Sequence, residues 1–224
     1  MNEDLYPDLA ELGGLPGALA HTSQENGIDL GVIEGATSAS SDDSNSAKLL
    51  SDRGTIMIYL GAEERRFYVS IADVQHAWAE GVTDDLPAVV GVASSWQTGV
   101  TLRELSSRFP FMEHSELAQA YEDGDPVTIQ WGTLLHDDAF EDYRPLTREV
   151  YADERLRTLF PFYSMGMLRL SKDHTSRRAG EIRISPLSGG GYRVESTASD
   201  GKTETHVEEL SRVGEAAVAL LEGL

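Results

Sequence analysis

The sequence predicts an α+β fold: two antiparallel sheet-plus-helix units joined by a helical middle segment. Three observations carry that prediction. Residues 54–81, and again 166–206, alternate apolar and polar side chains between tight turns, as half-buried strands do. Each run is followed by one amphipathic stretch at helical spacing, residues 84–98 and 208–221. Between them, residues 100–160 carry the caps and apolar spacings of short helices. The stretch from Asp85 to Gly99 aligns with that from Glu209 to Gly223, so the halves read as a possible internal pseudo-repeat.

Residues 1–47 read as an acidic N-terminal segment ending in a Ser-rich linker. Leu9, Leu12, Leu15 and Leu19 share one helical face, with Asp8 as candidate N-cap, but Gly13, Gly14 and Pro16 interrupt it. A second helix after Pro16 is an equal reading. Ile28, Leu30 and Val32 alternate with polar or small residues and predict a short strand over 28–33. Residues 36–47 hold no large apolar side chain and cannot offset the entropy of ordering.

The first unit, residues 48–99, is expected to hold strands at 55–60, 66–71 and 75–80. A helix follows, capped by Thr83 or Asp84, with Pro87 in its first turn and Gly99 at its end. In the middle segment, 100–160, Thr101-Leu102-Arg103-Glu104 has the capping-box pattern and Ser115 is placed to cap a helix over 117–121. Pro126 opens a helix over 127–135, and another is expected over 147–160. The second unit, 161–224, is expected to hold strands at 166–171, 181–184, 192–195 and 202–206, then the C-terminal helix. Residues 48–224 are expected to form one body.

Charge excludes whole classes of function. Eighteen Lys and Arg against 38 Asp and Glu give −20, whereas nucleic-acid and anionic-lipid binding need a basic face. Nine acidic residues and no Lys or Arg precede Lys48. The absence of cysteine removes disulfides, thiolate catalysis and cysteine metal sites, and six scattered histidines do not supply a zinc site. No cofactor is expected: Ser188-Gly189-Gly190-Gly191 lies between two strands, where a dinucleotide loop needs a strand and then a helix. No apolar run approaches the roughly 18–20 residues of a membrane span. The start, Met1-Asn2-Glu3-Asp4, lacks the regions of a signal peptide, so a cytoplasmic location is expected.

Two clusters stand out. His136, Asp137 and Asp138, followed by Glu141 and Asp142, concentrate titratable groups suited to acid–base work, although charge runs usually form solvated helix ends. Arg169, Lys172, His174, Arg177, Arg178 and Arg183 form a basic island, with five Lys and Arg against two acids between Met165 and Arg183. Such an island suits a carboxylate or phosphate; the alternative is a solvated hairpin loop. Trp78, Trp96, Trp131, Phe160, Phe162 and Tyr163 read as core, and of these Trp131, beside Gly132 and close to the acidic loop, and Tyr163 are also the aromatic binding candidates. His114-Ser115-Glu116 imitates a nucleophile arrangement, but chain neighbours rarely form a triad.

Three stretches carry a family resemblance. Trp96 through Leu105 with Phe109-Pro110-Phe111, Leu159 through Ser171, and Ile184 through Val194 are similar to motifs of an actinobacterial family of unknown function. That family is labelled as natural-product biosynthesis proteins. The resemblance spans residues 54–222. Where its members often place histidine after the serine of the second motif, this chain has Met165, so no histidine carries over there. What the resemblance implies is a biosynthetic setting rather than a reaction.

The expected function is an accessory protein of natural-product biosynthesis, in a modified-peptide pathway, that binds a precursor peptide or a partner enzyme. Two alternatives stand beside it: a cofactor-free tailoring enzyme using histidine and carboxylates, and an immunity-type interaction protein with an acidic face for a basic toxin.

Overall fold

A computed structural model describes residues 1–35, 43–173, 175, 180–198 and 201–222, with the backbone alone at 43 and 198. It is a mixed α+β structure with two separate antiparallel sheets of six and five strands. The chain divides into two compact units, Met1–Glu122 and Asp123–Leu224. The division falls inside the segment that the sequence reading treats as a helical middle.

In the first unit, α1 (Pro7–Glu11) and α2 (Leu15–Glu25) precede β1 (Ile33–Glu34), β2 (Ser46–Ser51), β3 (Gly54–Leu60), β4 (Phe67–Ala72) and β5 (Ala77–Thr83). Then come α3 (Leu86–Gln97), α4 (Leu102–Arg108), β6 (Met112–Glu113) and α5 (Glu116–Asp123). The six strands pair in chain order as an antiparallel meander. Period-two patterning sends Ala47, Leu49, Ile56, Ile58, Phe67, Val69, Ile71 and Ala79 to one face, where all are buried. They share a core with Leu9, Leu15 and Leu19 from the N-terminal helices and Val89, Val90, Ala93 and Trp96 from α3. Each large apolar side chain so buried contributes about 1.5–3 kcal/mol.

The N-terminal segment is therefore part of this core. Tyr6 is wholly buried, and its hydroxyl lies 3.0–3.1 Å from the carbonyls of Gly61, Glu64 and Arg66 while accepting the Arg66 N–H. Asp8 does not cap α1, since Tyr6 holds the cap position. Asp8 instead accepts two hydrogen bonds from Arg65, at 2.8 and 2.9 Å, which hold its carboxyl below the usual range.

The expected strand over 28–33 shrinks to Ile33–Glu34, and most of the expected linker over 36–47 lies outside the described residues. Its end is not linker: Ser46 and Ala47 are buried in β2. The third long strand starts later than its pattern suggested, because the register shifts between Ile71 and Ala72 and Trp78 falls at the irregularity. Asp85, one residue past the expected cap, accepts the Ala88 N–H at 3.1 Å and starts α3. The Thr101–Glu104 capping box is present in both directions.

The second unit holds α6 (Pro126–His136), α7 (Arg144–Tyr151), β7 (Phe160–Ser164), β8 (Met167–Ser171), β9 (Glu181–Pro186), β10 (Tyr192–Ala198), β11 (Gly201–Val207) and α8 (Val213–Leu221). Its strands also form a meander. Leu168, Leu170, Ile182, Ile184 and Val194 share a buried core with Trp131, Leu134, Val150, Val213 and Ala217. The helix expected over 147–160 stops at Tyr151, and Phe160 already opens a strand. Both units contain the run helix, helix, five strands, helix, as α1, α2, β1–β5, α3 and as α6, α7, β7–β11, α8, and the first unit then adds α4, β6 and α5. That is the element order a pseudo-repeat requires. No described helix is long and apolar enough to cross a membrane.

Candidate functional site

One face of each sheet carries a helix-packed core, which leaves the outer face for other work. In the first unit, register defines two rows on that outer face. One runs Ser46, Tyr59, Tyr68, Val82, and the next runs Lys48, Met57, Ser70, Glu80, Glu113. Tyr59 and Tyr68 are 44% and 45% exposed, a large area for rings on a regular sheet. Lys48 is taken by Glu34 at 3.2 Å.

Open hollows line this face among the described residues, and three of them adjoin. The middle one, about 560 Å³, is lined by Tyr59, Tyr68, Ser70, Glu80, Val82, Phe111 and Glu113 among others. A neighbour of about 340 Å³ shares Ser70, Glu80 and Glu113 with it and extends to Trp78, His114 and Ser115. A third, about 460 Å³, shares Tyr68 and reaches the β3–β4 turn at Glu63 and Glu64. The shared walls make them one trough across the sheet. Its described lining includes four glutamates, of which Glu64 is paired with Arg66 at 2.9 Å, and neither lysine nor arginine. Gly81 lets β6 lie close against β5: a Cβ there would meet the Phe111 carbonyl at 2.5 Å and the Met112 sulfur at 2.6 Å.

Glu80 and Glu113 are directly opposed cross-strand partners. Such neighbours have Cβ atoms about 4.5–5.5 Å apart, and like charges there repel. Among the described residues, neither carboxylate has a hydrogen-bond or ion-pair partner. His114 is tied to Ser106 of α4, Nδ1 to Oγ 3.0 Å, with no third group orienting the ring among the described residues. Ser115 caps α5 by accepting the Ala118 N–H at 3.0 Å. Neither forms a nucleophile–base–orienter set.

The residues singled out in the sequence lie in the second unit. His136 ends α6, with Nδ1 2.9 Å from the Gly132 carbonyl. Asp137 accepts the Ala139 N–H at 2.9 Å and caps the following 3-10 turn. Asp138 is 99% exposed and pairs loosely with Arg144, which also donates to the His136 and Asp137 carbonyls. The three therefore finish one helix and start the next turn; their side chains do not converge. Among the described residues no group of three or more His, Asp or Glu could hold a metal ion.

Trp131 is 1% exposed and donates Nε1–H to the Leu159 carbonyl at 3.1 Å. Tyr163 sits 4.4 Å from the Tyr143 ring and shares a 3.0 Å hydrogen bond with Thr147; burial pushes its hydroxyl up to about 12. Both are packing residues of the second core. Arg169 lies on the opposite face of the sheet, across from Phe162 rather than Tyr163. Lys172 is exposed, and His174, Arg177 and Arg178 fall outside the described residues.

Arg169 and Arg183 are themselves cross-strand partners, and Glu181 resolves their repulsion. It accepts from Arg169 at 2.6 and 2.9 Å and from Arg183 Nε at 2.5 Å. Burial raises the Glu181 carboxyl, but these bonds outweigh it and hold it below the usual glutamate range. Beyond lies Glu195, its side chain 6% exposed, contacted by Arg193 at 2.9 Å and Lys202 at 2.8 Å. Lys202 holds the Glu195 carboxyl down despite burial. This outer face is a neutralised lattice, so its described part is no vacant anion site.

The trough was missed in the sequence because its groups are far apart along the chain. The usable signal was the outward alternation of Tyr59 and Tyr68, which ordinary strand patterning makes unremarked. The model of a family of unknown function (DUF6193) matches residues 125–224. That range is almost the whole second unit, so the Trp96–Phe111 motif and the trough lie outside it. No curated protein and no solved structure matches the chain.

Proposed function

We propose that this protein is a non-catalytic binding module that receives a polypeptide on the outer face of the six-stranded sheet. The observation that carries the reading is the open trough with exposed Tyr59 and Tyr68 and four lining glutamates. Exposed aromatic area of this kind marks a surface awaiting a partner. The setting we infer is that of an actinobacterial accessory protein of natural-product biosynthesis. It acts in the cytoplasm and binds a precursor peptide or a partner enzyme of a modified-peptide pathway. Support for that setting comes from the motif resemblance; the family matched over residues 125–224 is one of unknown function.

The test is calorimetric titration of the purified chain with the precursor peptide and partner enzymes encoded beside it. Saturable binding that Tyr59→Ala/Tyr68→Ala weakens by about tenfold or more supports the reading. Binding that ignores this change removes the trough from it. The immunity-type reading keeps one specific support: the carboxylates sit on the folded face rather than only in the N-terminal segment. A tailoring enzyme has no such support, since His136, Asp137 and Asp138 do not converge.

A further inference from the structure

Among the described residues, three arginines are held by one recipe, an aromatic face below and a carboxylate at the edge. Arg53 lies 3.8 Å over the Trp96 ring and bonds Glu122 at 2.5 Å. Arg65 lies over Tyr6 and Phe67 and makes a two-pronged bond to Asp8. Arg169 lies 4.7 Å over Phe162 and bonds Glu181. The trough repeats the recipe a fourth time without the arginine. Tyr68 offers an exposed ring, and Glu80 is its diagonal neighbour across β4 and β5, within reach of a long side chain. Glu113 faces Glu80 from β6.

The second unit shows one way such a like-charge pair is answered. The Arg169–Arg183 pair is bridged by an opposite charge, Glu181. The Glu80–Glu113 pair has no counterpart among the described residues. We propose that its missing bridge is an arginine side chain of the bound partner polypeptide, laid on Tyr68 with its guanidinium between the two carboxylates. A guanidinium suits this slot better than an ammonium, because it stacks on aromatic faces, is weakly hydrated and offers a planar fork of donors. The inference rests on the reading of this face as a polypeptide surface and adds the chemistry of the occupant.

The experiment titrates the full chain with two blocked peptides, Ac-Gly-Arg-Gly-Arg-Gly-amide and its citrulline counterpart, which keeps the shape and loses the charge. The arginine peptide should bind at least about tenfold more tightly, and binding should weaken as salt shortens the reach of exposed charges to about 3 Å near 1 M. Glu80→Gln/Glu113→Gln should abolish that preference while the variant stays folded by circular dichroism, with a melting temperature no lower than the parent's. Equal binding of the two peptides, or no saturable binding of either at about 1 mM, overturns the proposal. So does a preference that survives the double substitution. If the parent self-associates and the double variant does not, the occupant is a second copy and the partner assignment falls. If the cognate polypeptide binds through Tyr59 and Tyr68 while arginine and citrulline peptides bind alike, the arginine inference alone fails. If the cognate polypeptide ignores Tyr59→Ala/Tyr68→Ala, both fail.

Discussion

The two sheets share a plan and differ on their outer faces. Each is a meander with its inner face packed against helices. Outside, the second sheet sets Arg169, Arg183, Glu181, Glu195 and Lys202 in mutual neutralisation. The first sets Tyr59, Tyr68, Val82, Glu80 and Glu113, with these two carboxylates unanswered among the described residues. A face that satisfies its own charges has little to gain from a partner. A face that keeps aromatic area in water and opposes two carboxylates gives up some stability, and a ligand recovers it.

The largest expected effect breaks the satisfied face. Glu181→Ala leaves two cross-strand guanidiniums opposed and should destabilise the second unit by about 2 kcal/mol in denaturant melts, below a fully buried pair because both arginines are partly exposed. The same carboxylate gives an acid limb. Its pKa is lower folded than unfolded, so its stabilisation is complete above the ordinary glutamate range and is lost as pH falls through the depressed value. Parent and Glu181→Gln midpoints should therefore converge in acid; a gap that persists there contradicts the account.

A smaller effect tests whether the N-terminal helices belong to the first unit. Tyr6→Phe strands the Arg66 N–H and removes the donor among three carbonyls. The first unit should lose about 1–2 kcal/mol. Unchanged hydrogen-exchange protection in β3 and β4 would show that Tyr6 is no anchor. The smallest effect has the opposite sign: Glu113→Gln relieves the Glu80 repulsion and should stabilise by a few tenths of a kcal/mol. A loss instead would mean that Glu113 already has a partner.

Much of the fold was legible because local chemistry dictated it. Alternation exposed β3 and β4, and Gly99 and the Thr101–Glu104 pair marked helix ends. What failed was decided by tertiary contact. Ser46 and Ala47 look like linker but are drawn into β2 by pairing with Tyr59 and Ile58. Phe160 looks helical in its window, yet it pairs with Ser171 in a strand that the helical pattern concealed. Site residues were harder still. Arg169 was visible as charge, but whether a charge is vacant depends on a neighbour such as Glu181, twelve residues away and adjacent only after folding. Glu80 and Glu113 belong to strands separated by two helices, and no spacing rule joins them.

The most direct measurement is an amide chemical-shift map of the chain titrated with the arginine peptide. The account predicts shifts concentrated on β3 to β6, at Tyr59, Tyr68, Glu80, Val82 and Glu113, with β8 to β10 unmoved. Shifts centred on Arg169, Arg183 and Glu195, or spread evenly over both sheets, would contradict it.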